Sequence, residues 1–360
     1  MTERVAVIHD GFADTPGGAA KVATALAETL DADLYVGRAG KPTWYEERVE
    51  GEVTLFAGRA NSLPTVLRDA MVAYETGRLH LPEYDTVVTT GVPAKFYQPE
   101  SHQLHHHYAH HPPLRYTEWL GRDTLTGLGN LRYLVRKAAM YADWIEMQRV
   151  RRTLANSRTT RDRIDRHYGL DATVVNPPIE YDERSVLATE RREDYFLSAG
   201  RLGERKRLDT LILAFARTDE RLVLCGDGPL REELADLAEE TGADVEFRGF
   251  VSDDEVVEAM RKAKGGVFIP VEEDFGMAIA ECLCYGTPLI VTDEPNPKYM
   301  IDDGSGRRVE PTVDAVTEAV REFDPSAFDP ESIAAEARER YGAERFTAEV
   351  REALREERTI

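Results

Sequence analysis

Short apolar runs alternate with helical patterns along almost the whole chain, and this alternation narrows the possible folds more than any other feature. Val5–Ile8, Leu34–Val36, Val53–Phe56, Thr86–Thr90 and Leu104–Tyr108 read as strands. Helical spacing fits between several of them, notably after Gly17-Gly18 (Val22, Leu26, Leu30) and over 63–78. Leu154-Ala155-Asn156-Ser157 followed by Arg161–Tyr168 reads as strand, polar cap and helix. A second series begins at Tyr195–Ala199 and continues through strands at Leu222–Cys225, Val245–Phe247 and Val267–Val271. Its helices carry Leu208, Leu211, Ile212 and Phe215, then Leu230, Leu234 and Leu237. A third follows Ser252, whose Glu255 three positions on completes a capping box. Strands alternating with helices imply parallel sheets covered on both faces. A length of 360 residues exceeds one average core. The expected organisation is an α/β chain with a doubly wound domain at 1–180 and a polar linker at 181–194. A second doubly wound domain follows at 195–331, then a charged helical segment at 332–360. Two Rossmann-like halves of this kind bind ligands at the carboxyl ends of their strands, in a central cleft.

Composition excludes several classes. Hydrophobic residues make up 42% of the chain, so it is globular rather than disordered. The net charge is −21, and eight of the 45 basic residues are lysine. Such an acidic surface argues against nucleic-acid binding and leads to the expectation of a high-salt, halophilic setting. Cys225, Cys282 and Cys284 lack metal-type spacing and read as small core residues. No signal-peptide pattern opens the chain and no apolar run is long enough to span a bilayer. The expected location is therefore cytoplasmic, with any membrane contact peripheral.

Three segments carry chemistry. Ser198-Ala199-Gly200-Arg201-Leu202, with Lys206 behind, is a turn between a strand and a helix, where fixed positive charge and helix N–H groups suit a diphosphate. Cys225-Gly226-Asp227-Gly228-Pro229 follows a strand and opens a helix, and its glycines allow close approach of a flat base or ribose. Pro270-Val271-Glu272-Glu273-Asp274-Phe275-Gly276-Met277 leads to Glu281 inside a helix. Two carboxylates held this way can accept hydrogen bonds from hydroxyls at both ends of a sugar nucleotide; a pair of solvated acids is the other reading.

In order and spacing these segments resemble retaining glycosyltransferase family 4, which has the two-domain GT-B fold. The resemblance implies that Arg201 and Lys206 grip the donor diphosphate and that Glu281 takes the ribose hydroxyls. Glu273 would take a donor-sugar hydroxyl, positioning rather than attacking. Gly226, Asp227, Gly228 and Val251 would border the nucleobase, and Phe275, Gly276 and Met277 would offer backbone N–H groups. Gly17 and Gly18 match the family's glycine-rich loop, although Ala20 stands where the family usually has Glu. His110-His111-Pro112-Pro113-Leu114-Arg115-Tyr116 resembles a motif of its mannosyltransferase-like subgroup, in which His110 faces the cleft and contacts the sugar or the departing phosphate. The C-terminal segment would cross back to the first domain. Where the family has a paired-glycine loop, this chain reads Asp293-Glu294-Pro295-Asn296-Pro297-Lys298.

The implied activity is transfer of a hexose, mannose favoured, from a nucleotide diphosphate sugar such as GDP-mannose to a glycan or polyprenyl-linked acceptor. Neither cofactor nor metal is expected. A nucleotide-sugar 2-epimerase and a catalytically silent sugar-nucleotide-binding subunit share the fold and remain open. The histidines between His102 and His111 alternate along a strand, which favours packing over metal binding. Residues 132–166 are strongly basic and interleave with Leu134, Tyr141, Trp144 and Ile145. That pattern suits either contact with anionic lipid at the inner face of the membrane or an ordinary structural helix.

Overall fold

Strand β1 (Val5–His9) buries all but its first residue, as a strand inside a parallel sheet must when both faces are covered. In the computed structural model, which describes residues 3–11, 17–63, 65–111, 129–182 and 186–355, β1 lies between β2 (Asp33–Val36) and β4 (Thr86–Thr90). Outside these run β3 (Val53–Leu55) on one side and β5 (Leu104–Ala109), β6 (Arg152–Ala155) and β7 (Thr173–Val174) on the other. The order is β3-β2-β1-β4-β5-β6-β7, parallel throughout. The helix Gly18–Leu30 returns the chain from β1 and turns Val22, Ala23, Leu26 and Ala27 into the same core as Val7 and Leu34.

The chain divides into two units, Met1–Pro177 with Phe346–Ile360, and Pro178–Arg345. Within the first, Phe346 of the helix Ala343–Arg355 is buried beside Val7 and sets its ring edge-on to Tyr108 at 6.3 Å. A buried charge also ties this unit together. Lys95 Nζ lies 2.5 Å from Asp143 Oδ1, and the Tyr168 hydroxyl donates to Asp143 Oδ2 at 2.5 Å. The three side chains join the turn Pro93–Phe96 to the helices Gly129–Arg149 and Arg158–Tyr168.

The second unit has a six-stranded sheet in the order β10-β9-β8-β11-β12-β13, again parallel. Its strands are β8 (Glu193–Ala199), β9 (Leu222–Cys225), β10 (Val245–Gly249), β11 (Ala263–Phe268), β12 (Leu289–Thr292) and β13 (Gly306–Val309). The capping box forms: Ser252 caps the helix Asp253–Lys262 while Glu255 reaches back to the Ser252 N–H. Just ahead of β8, Arg192 donates to the carbonyls of Arg261, Ala263, Tyr285 and Gly286 and to the Thr287 hydroxyl. All three cysteines are buried.

One strand ends earlier than its apolar pattern suggests. The sequence carries β11 to Val271, but Arg205 takes over the chain beyond Phe268. The Val271 N–H donates to the Arg205 carbonyl at 2.7 Å, and the Arg205 guanidinium donates to the carbonyls of Val271 and Glu272. Glu272 accordingly takes a left-handed φ of 50°.

Candidate functional site

At the carboxyl end of β8, Gly200 turns at φ 140° and leads through the exposed Arg201 to a tight turn at Glu204–Lys206. Arg207, at φ 50°, then starts the helix Leu208–Phe215. The three basic residues in a row each reach across to the loop after β11. Arg205 grips Val271 and Glu272, as described, and Lys206 Nζ donates to Glu273 Oε2 at 2.7 Å. Arg207 donates to the Ile269 carbonyl at 3.3 Å and to Glu294 Oε1 at 2.7 Å. Two residues singled out separately in the sequence, Lys206 and Glu273, thus meet directly across 67 positions.

The glycines of the next loop are needed for the cradle itself. A Cβ on Gly226 would sit 2.0 Å from the Gly200 carbonyl oxygen, and one on Gly228 would sit 2.3 Å from that of Leu202. The two strand-end loops are therefore stacked backbone to backbone, tied by Gly200 N–H to Cys225 O at 2.9 Å and Leu202 N–H to Asp227 O at 3.0 Å. The exposed Asp227 caps its own turn, accepting from the Gly228 N–H at 2.8 Å. Val251 follows the 73%-exposed Phe250 and is half-buried.

Phe275 does not present its ring. It is buried edge-on against Tyr341 at 5.6 Å, which leaves only its backbone open to a ligand. Gly276, at φ 89°, is the N-cap of the helix Met277–Cys284, and the N–H groups of that first turn point out of the helix end. Glu281 lies one turn further along, half-buried. The loop without paired glycines gives Asn296 the glycine-like backbone instead, at φ 77° and ψ −66°. Asn296 is buried, and its amide donates to the Phe275 carbonyl. Sequence reading marks Pro295 and Pro297 as a departure but cannot show this clamp.

In the first unit, Gly17 is the exposed N-cap and Gly18 the first residue of the helix after β1, while Ala20 is buried in the core. His110 follows the end of β5, half-buried, with Nε2 2.7 Å from Thr90 Oγ1. Burial, with His9 and His111 nearby, pushes the His110 pKa down to about 3, so its ring is neutral. At the end of β1, His9 Nδ1 lies 3.3 Å from the Thr90 carbonyl and 3.2 Å from Asp10 Oδ1. Neither Thr90 nor the His9–Asp10 pair is marked by a motif. Pro112, Pro113, Leu114, Arg115 and Tyr116 lie outside the described residues. The strand histidines split by face: His105 and His107 both bond Thr89, each at 3.0 Å. Among the described residues no group of three or more His, Cys, Asp or Glu is arranged to hold a metal ion. None of their helices is long and apolar enough to cross a membrane.

Residues 181–340 match the family model described as glycosyl transferases group 1. A GDP-mannose-dependent alpha-(1-6)-phosphatidylinositol dimannoside mannosyltransferase of Mycobacterium tuberculosis is 35% identical over 128 residues, covering 34% of this chain and 33% of the relative. The chain thus spans about a third of that relative's length. Sucrose-phosphate synthase from Thermosynechococcus elongatus superposes with a TM-score of 0.77 at 16% identity, over 98% of each chain. The Anabaena HepE protein in complex with UDP and glucose superposes with a TM-score of 0.74 at 15% identity, over 99% of this chain and 100% of the other. These likenesses establish the fold as GT-B.

Proposed function

The second unit of this chain belongs to the glycosyl transferases group 1 family, and on that premise we propose that the protein is a retaining hexosyltransferase. It moves a hexose, mannose favoured, from a nucleotide diphosphate sugar to a glycan or lipid-linked glycan. The observation that carries this reading is the 2.7 Å contact of Lys206 with Glu273, between the Gly200 turn and the N-terminus of Met277–Cys284. In this reading Lys206 would take the diphosphate and Glu273 the sugar of one donor that spans both side chains. Arg201 and Lys206 would offset charge building on the departing diphosphate, usually among the largest catalytic terms. Glu281 would hold the ribose, and Gly226 to Gly228 with Val251 would border the base. His110 would hydrogen-bond the sugar or the leaving phosphate, and Gly17-Gly18 would open the helix after β1 to a phosphate. The GDP-mannose dependence of the mycobacterial relative supports mannose. No metal is assigned a part.

A panel of GDP- and UDP-sugars, read by thermal shift and then by product analysis, tests the proposal. Nucleoside diphosphate released with sugar transferred or hydrolysed supports it. Epimerised donor without an acceptor would point to the isomerase reading, and binding without turnover to a silent subunit.

The acceptor side is proposed to work at the cytoplasmic face of an anionic membrane. On the helix Gly129–Arg149, Leu134, Tyr141 and Trp144 are exposed, with Tyr141 and Trp144 stacked at 6.3 Å. Lys137 is exposed beside them. Arg149, within the basic stretch, is held by Glu146 and Gln98. Replacing Tyr141 and Trp144 by alanine should therefore reduce sedimentation with anionic vesicles at low salt, with donor-induced thermal shift unchanged. Equal sedimentation would make this an ordinary structural helix. The acidic composition also supports a high-salt setting: folding and turnover should improve in molar KCl, and full stability in dilute buffer would count against it.

A further inference from the structure

We infer that Thr90 is a positioning residue that fixes the His110 imidazole in its Nδ1–H form, so that the ring presents a neutral hydrogen-bond donor to the sugar or the departing diphosphate. The inference rests on the glycosyl-transfer reading above and deepens the part given there to His110.

Thr90 is the last residue of β4 and is fully buried, and its hydroxyl lies 2.7 Å from His110 Nε2. One hydrogen must be shared between them, which allows two arrangements. If the ring nitrogen donates, the hydroxyl hydrogen needs a second acceptor, and Thr90 Oγ1 has no other hydrogen-bond partner among the described residues. Thr90's own carbonyl is already taken by the Asp10 N–H and by His9 Nδ1. A buried hydroxyl hydrogen without an acceptor costs desolvation with no return. The arrangement that satisfies both groups has Thr90 Oγ1–H donating to the Nε2 lone pair. A neutral imidazole carries one proton, which then sits on Nδ1.

Neighbouring groups show that the sheet does assign tautomers. Thr89, one residue earlier and on the opposite face, has its hydroxyl 3.2 Å from the His106 carbonyl. With its hydrogen given there, it accepts from both His105 and His107. His9 Nδ1 faces two oxygens, so it carries the proton and anchors the Thr90 carbonyl. The Thr160 hydroxyl donates to the His110 carbonyl at 3.2 Å, which pins the backbone that carries the ring. His110 itself, one residue past the strand end, is partly exposed.

The test uses the full chain labelled with nitrogen-15 in its histidine rings, and long-range proton–nitrogen correlation reads each tautomer directly. His110 is expected as Nδ1–H in the unaltered protein and in Thr90→Ser, and as a mixture or Nε2–H in Thr90→Val. Turnover of the best donor in the panel should fall about tenfold or more in Thr90→Val, with donor KM changed less than about threefold, and return in Thr90→Ser. Nε2–H in the unaltered protein, or the same tautomer and turnover in Thr90→Val, would overturn the inference. His110→Ala separates the two levels: unchanged turnover there removes His110 from the reaction, whatever its tautomer.

Discussion

The Lys206 ammonium and the Glu273 carboxylate share a 2.7 Å hydrogen bond that ties the turn after β8 to the loop after β11. Both groups are partly exposed, so the pair is worth about 1 kcal/mol or less. A diphosphate must draw Lys206 away from Glu273, and that competition sets the sign of a mutation. Glu273→Gln should leave binding of a bare nucleoside diphosphate equal or up to about fivefold tighter by calorimetry. Sugar-donor turnover should fall by about a hundredfold, because the proposed contact to a sugar hydroxyl loses its charge. Weaker nucleoside diphosphate binding in this variant would show that Glu273 does not compete for Lys206.

Asn296 clamps the neighbouring turn, and its φ of 77° is a backbone that glycine takes freely and other residues do not. Asn296→Gly loses the amide bond to the Phe275 carbonyl but relieves the backbone, whereas Asn296→Ala loses the bond and keeps the strain. The expected stability order by urea denaturation is unaltered protein, then glycine, then alanine, with about 1 kcal/mol between the last two. An alanine variant as stable as the glycine variant would mean that the strain is absent.

Much of this was legible because it is local. The alternation of strands and helices, the Ser252–Glu255 cap and the glycine turn after β8 each show in short stretches of sequence. Contacts made at a distance were not. Thr90 meets His110 across 20 positions with no motif at the threonine. Arg192 sits in a polar stretch, and four of its acceptors are main-chain carbonyls, which no side-chain pattern marks. Gly226 and Gly228 look like ligand-facing glycines, yet each is required by the loop stacked on it. Apolar character carries β11 on to Val271, but the competing hydrogen bonds of Arg205 end the strand first.

Four histidines in and beside the sheet make the first unit sensitive to acid. Burial lowers the pKa of His9 to about 4 and those of His105 and His110 to about 3, and lowers that of His107 as well. Unfolded histidines titrate near 6.5, so below that pH the unfolded chain binds more protons than the folded one. Their contribution is therefore intact above about pH 6.5 and is lost as pH falls toward 4 and 3. Each should cost about 1.4 kcal/mol per pH unit in that window. Denaturation midpoints at pH 7.5, 5.5 and 4.5 check this, and a midpoint unchanged down to pH 4.5 would contradict it.

The central claim, that the second unit's cradle activates a nucleotide diphosphate sugar, is tested most directly by turnover of the best donor in Arg201→Ala and Lys206→Ala. Both positions are at least partly exposed, so neither change should unfold the chain, which circular dichroism confirms or refutes in the same samples. The account predicts that kcat falls by at least about a hundredfold in each variant. Unchanged turnover in both, with the fold intact, would contradict it.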